Sequence, residues 1–205
     1  MTEVQIKYLE LMRTIRDRFH AIDRIITIEE NNFYMSEAIA FHARKVIEAI
    51  AFSCLIAIEN GINVVPKSAK GQYNAEKIFK ALKKQNLSAI QNPSFIRAAT
   101  DGEKGMYGIS TTIEGRPEKC LNHQDLIKIY QELHSWLHEL NPYVKFGHRE
   151  FNEKNYPSLL DSVSKLRSLL TSHVMTVRGV GFYCVLDDKN YNDVRMVCIS
   201  KSGKT

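Results

Sequence analysis

Residues 36–61, SEAIAFHARKVIEAIAFSCLIAIENG, decide the fold. Between Val46 and Ile58 this stretch is apolar on almost every side of a helix, interrupted by Glu48. A helix apolar all round is buried all round, so this one is expected at the centre of a helical assembly. Ser36 offers an N-cap and Gly61 a stop. The run is too short and too interrupted to span a bilayer. Within it, Arg44 and Glu48 stand one turn apart among Ala40, Ala51 and Leu55. Either charge buried alone is costly, which predicts an ion pair, or an arginine held inside the protein to meet a phosphate.

Outward from this centre the chain reads as more helices. In residues 2–27, Val4, Tyr8, Leu11, Ile15, Phe19, Ile22 and Ile26 recur at helical spacing, with Arg13, Arg16, Asp17 and Arg24 opposite. Glu29 to Asn32 breaks that pattern, and residues 63–73 read as a loop. Asn74 caps the short helix AEKIFKALKKQ, and Asn92-Pro93 is read as the start of a helical piece through Arg97. Residues 99–122 carry four glycines and Pro117, a long connection in which MYGISTTIEG has the pattern of a small hairpin. The next helix is expected over 122–140, with Leu126, Ile129, Tyr130, Leu133, Trp136, Leu137 and Leu140 in register, ended by Asn141-Pro142. Pro157 is read as opening a last helix. From Val174 the residues turn β-branched and aromatic, predicting a hairpin of VMTVRGVGFYCVL and VRMVCIS, with a bulge at Gly179 and Gly181. The expected fold is therefore mainly α: an up-and-down helical bundle over 1–171 and a C-terminal β-hairpin over 172–205.

The chain has 205 residues, 44% of them hydrophobic and 25% charged, which excludes wholesale disorder and supports a proper core. A net charge of +5 tilts mildly towards an anionic partner, RNA or DNA. Cys54, Cys120, Cys184 and Cys198 form no CxxC pair and read as buried free thiols of a reducing compartment. The first 19 residues have no signal-peptide core, so a cytoplasmic protein without a membrane partner is expected. His134 and His138 stand four apart, but Ser135 replaces the glutamate that a zincin pattern needs, and no metal or cofactor is expected. The closing Ser202-Gly203-Lys204-Thr205 matches the tail of a phosphate loop without its leading glycine or its helix.

Two segments, FHARKVIEAIAF and IYQELHSWLHELNPY, together resemble the HEPN superfamily of helical proteins found in prokaryotic toxins and antiphage systems. That resemblance implies metal-independent RNA cleavage in active members, by a histidine that handles protons and an arginine that precedes it by a few residues and steadies the phosphate, usually across a dimer. Here Gln131, Glu132 and Leu133 stand where the arginine before His138 belongs, and Lys128 is the nearest basic residue before His134. Arg167 with His173 and Arg13 with His20 have the spacing but lie elsewhere. The leading expectation is a HEPN-like, non-catalytic binding or accessory subunit of an antiphage-defence or toxin–antitoxin assembly, with a protein partner or as a homodimer. The alternative is a ribonuclease using His138 or His134 with Arg44 or Lys128. The second alternative is a non-specific nucleic-acid-binding protein using Lys128, Arg13, Arg16 and Arg24.

Overall fold

A computed structural model describes residues 1–28, 32–62, 64–87, 89–117, 120–139, 141, 143, 147–188, 190 and 192–200. Part of the expected break at Glu29 to Asn31, the residues Leu140 and Pro142, and the terminal Ser202 to Thr205 lie outside the described residues; the helix expected over 122–140 ends short of them, at His134.

Helix α1, Glu3–Ile26, is opened by a reciprocal cap between Thr2 and Gln5 and buries Tyr8, Met12, Ile15, Phe19 and Ile22. Helix α2, Phe33–Ile62, is the expected centre; it runs through Gly61 rather than stopping there, and packs against α1 and the later helices. Helix α3, Ala75–Lys84, is capped by Asn74 as its sequence requires. Next come β1 (Asn92–Ala98), α4 (Asp101–Tyr107), β2 (Thr111–Gly115) and α5 (His123–His134). A 3-10 turn, Ser135–Leu137, then leads to α6 (His148–Leu170), β3 (Ser172–Val177), β4 (Val180–Asp188) and β5 (Asp193–Ser200).

The strands overturn the expected fold class. They form one five-stranded antiparallel sheet in the order β2-β1-β3-β4-β5, so the protein is not a helical bundle finished by a hairpin. Helices cover the sheet: α1 lies against β4 and β5, α2 against β3 and β4, and α6 against β1 and β3. Phe182, Cys184 and Leu186 alternate along β4, and all three are buried in the core with Met175.

Local readings fail where pairing partners are distant in sequence. Residues 92–97 are strand, not helix; Pro93 is tolerated near the start of β1, where the pairing with β3 is limited to Asn92↔Val174 and Pro93↔His173. MYGISTTIEG is not a hairpin of its own: Met106 and Tyr107 end α4, and Thr111–Gly115 pairs with β1. Pro157 lies inside α6, which begins nine residues earlier at His148. VMTVRGVGFYCVL holds two strands, joined by Arg178 and Gly179 at φ 53° and 82°. Cys54 and Cys184 are buried, but Cys198 is exposed.

Gly181 is a close-packing position rather than a bulge. A Cβ there would overlap the Met175 carbonyl oxygen and the Thr176 Cα of the neighbouring strand. Gly181→Ala is expected to lower stability by about 1–3 kcal/mol, read as a lower denaturation midpoint at unchanged slope.

The sheet also holds a buried polar contact. His173 and Tyr8 are both 0% exposed, and the Tyr8 hydroxyl lies 2.9 Å from His173 Nε2. Nδ1 lies 3.0 Å from the Leu170 carbonyl, which only accepts, so the ring proton sits on Nδ1 and Nε2 accepts from Tyr8. Burial pushes the His173 pKa down to about 4. The Tyr8 ring stacks on Phe182 at 4.3 Å.

Candidate functional site

Arg44 and Glu48 lie one turn apart on α2, and their side chains keep only 16% and 14% exposure. A guanidinium this enclosed needs compensation from several directions, and it has it. Arg44 Nε is 3.7 Å from Glu48 Oε1, Nη2 donates to the Tyr130 hydroxyl at 2.7 Å, and the guanidinium carbon lies 3.9 Å from the Tyr130 ring centre. The Tyr130 hydroxyl in turn donates a hydrogen bond to Glu48 Oε1 at 3.1 Å, while Lys45 holds the other oxygen at 2.7 Å. Two cations therefore share one carboxylate, leaving a net positive charge in the cluster.

The third arm of Arg44 points outward. Its Nη1 lies 2.8 Å from His134 Nδ1 on α5. Arginine only donates, so Nδ1 is the acceptor and the His134 proton resides on Nε2. That nitrogen lies 2.8 Å from His138 Nε2, which then accepts and carries its own proton on Nδ1. Desolvation first, then the charge of Arg44 and then His138, lower the His134 pKa. The ring stays neutral at neutral pH and holds Arg44 on one side and His138 on the other. Burial, and next the Glu48 charge, raise the Tyr130 pKa, so its hydroxyl remains a donor.

The meeting of the two histidines has a specific structural cause. Helix α5 ends at His134 and gives way to the 3-10 turn, after which His138 is extended at φ −113° and ψ 141°. Trp136 anchors the turn, 3% exposed, with ring centres 6.0 Å from Phe33 and 4.9 Å from Phe151. Both imidazoles reach the surface while their backbone is held by a buried indole.

The other residues singled out in the sequence go elsewhere. Lys128 is exposed and lines a cleft of about 270 Å³ with Cys120, Ser162 and Lys165, whose lining includes none of Arg44, His134 or His138. Arg13 and Arg16 both bind Asp193 of β5, at 2.6 Å each. That carboxylate, held well below the usual range chiefly by Arg13, partly neutralises them. Arg24 is exposed in the last turn of α1. Arg167 reaches Asp23 and covers the Phe19 ring, far in role from buried His173, and His20 faces Asp187, not Arg13. Among the described residues no three His, Cys, Asp or Glu side chains cluster as a metal site, and no helix is long and apolar enough to cross a membrane. Tyr130 belongs to the apolar stripe of its helix, and its place four residues before His134 is the signal that links it to the site.

No family model, curated protein or solved structure matches the chain.

Proposed function

We propose that the protein is a metal-independent ribonuclease whose site is Arg44, His134 and His138, on a HEPN-like helical core that carries a sheet. The observation that supports this reading is the 2.8 Å approach of the Arg44 guanidinium to His134, itself 2.8 Å from His138 at the surface. Cleaving RNA without a metal needs a base for the 2′-hydroxyl and a cation for the oxygens of the crowded phosphorus. Exposed His138 supplies the base through its Nε2 lone pair, whose hydrogen bond to His134 breaks when a 2′-hydroxyl enters. The proton on O2′ passes to His138, the bond from O2′ to phosphorus forms, and the bond to O5′ breaks, O5′ taking a proton from solvent. Arg44 faces the developing charge, and His134 and Tyr130 keep its plane fixed.

RNA cleavage by the purified protein in excess EDTA tests the reading. Cleavage is expected to persist under chelation, and to fall roughly tenfold in Arg44→Lys, because a lysine cannot hold Tyr130 and His134 together as the guanidinium fork does. Cleavage that stops with EDTA, or is unchanged in Arg44→Lys, removes this mechanism. RNA bound without cleavage returns the chain to the accessory-subunit reading.

A further inference from the structure

The exposed strip of α2 carries a second arginine–histidine pair that the cleavage chemistry does not use. His42 is two residues from Arg44, so the helix turns it by about 200° to the other side of the strip. There Arg18 of α1 places Nη1 3.1 Å from His42 Nδ1. Between the two pairs stands Phe41, 41% exposed, its ring 5.6 Å from His42 and 5.7 Å from the Arg18 guanidinium carbon. Tyr34, 67% exposed, lies two turns earlier on the same strip, and Lys45 one turn later.

Arg13, Arg16, Arg97, Arg149 and Arg167 each meet a carboxylate, whereas among the described residues no carboxylate pairs with Arg18. Arg18 differs in this from Arg13 and Arg16 on its own helix, though not from Arg24. Burial first, and Arg18 second, lower the pKa of His42, so its Nδ1 accepts from the guanidinium and adds no charge of its own. An uncompensated, oriented cation beside an open aromatic ring suits a ligand that is both planar and anionic. A nucleotide is such a ligand: its base stacks on the ring and its phosphate meets the guanidinium.

Resting on the ribonuclease reading, we infer that Phe41, Arg18 and His42 form a base-stacking subsite for a nucleotide flanking the scissile bond of single-stranded RNA. Phe41 and Arg44 are three residues apart, about 4.5 Å along the helix axis and on adjoining faces, a separation of the order of one nucleotide step. A base in a duplex has both faces covered and cannot use the ring, which sets the strand requirement.

The test uses the full chain carrying His138→Ala, which keeps RNA intact, and a fluorescent single-stranded 12-mer at low salt. Phe41→Ala is expected to weaken binding roughly 5- to 100-fold and Phe41→Leu nearly as much, while Phe41→Trp retains it. Phe41 is exposed, so circular dichroism of each variant is expected to match the parent. Moving one abasic nucleotide along the 12-mer should find a position that weakens binding to the parent but not to Phe41→Ala. Arg18→Gln should weaken binding and flatten its salt dependence. Equal binding by Phe41→Leu, an abasic effect independent of Phe41, or preference for duplex RNA or an acidic peptide overturns the subsite and leaves the cleavage reading standing. Phe41-dependent binding without any cleavage in the wild-type chain sustains base stacking at Phe41 but sinks the nuclease and, with it, the subsite's place beside a scissile bond.

Discussion

His138→Ala is expected to lower single-turnover RNA cleavage by roughly 100- to 10,000-fold, the usual loss when a positioned base is removed. The size follows from the absence of a substitute nearby. His134 Nδ1 is engaged by Arg44 and its Nε2 carries the proton, so it presents no lone pair to a 2′-hydroxyl. The Tyr130 hydroxyl donates to Glu48, whose carboxylate is turned towards Arg44, Lys45 and Tyr130 rather than the surface. Stability should change little, because His138 is exposed and its backbone is held by Trp136 instead. Single-turnover rates with a labelled oligonucleotide, alongside thermal denaturation of both chains, separate loss of chemistry from loss of fold. Equal rates in the two proteins would leave His138 without a role in cleavage.

The second large effect is on stability in acid. His173 is neutral in the folded protein, with its pKa pushed down to about 4 by complete burial, against an ordinary value near 6.5. Between those two values the unfolded chain binds a proton that the folded chain refuses. Stability from this residue is therefore full above pH 6.5 and drains away as the pH falls towards 4, a loss of about 3 kcal/mol. Protonation also removes the lone pair that accepts from Tyr8 and places a charge beside buried Cys184, its partner across the sheet. Urea denaturation at pH 7, 5.5 and 4.5 reads this directly. His173→Gln should be less stable than wild type at neutral pH yet lose about 2 kcal/mol less between pH 7 and 4.5. Parallel curves for the two proteins would assign the acid sensitivity to other groups.

The helices α1, α2, α3 and α5 were legible because each carries its evidence locally, as periodic or continuous apolar residues and, for α3, as the capping group Asn74. The sheet was not. Strand β1 pairs with β3 some eighty residues away, through an edge that holds a proline, and nothing within a short window announces such a partner. Pro157 misled in the opposite direction, since α6 accommodates it internally. At the candidate site, helical spacing brought out Arg44, Glu48, His134 and His138, because one turn separates each pair. It did not show that they meet, since that depends on how α2 and α5 cross and on the change of helix type after His134. Arg13 and Arg16 looked like free cations because Asp193 lies about 180 residues further on.

The same long reach shapes how the protein is made. Tyr8 finds its hydrogen-bond partner 165 residues later, and the two arginines of α1 wait for a carboxylate on β5. Helix α2 can cover much of the first helix as soon as it is made, but the part of α1 that packs on β4 and β5, Tyr8 included, stays uncovered on the ribosome until the closing strands emerge. Stalling before residue 172 leaves that surface open to chaperones or to a neighbouring nascent chain, and translation pauses late in the message would be the hazardous ones.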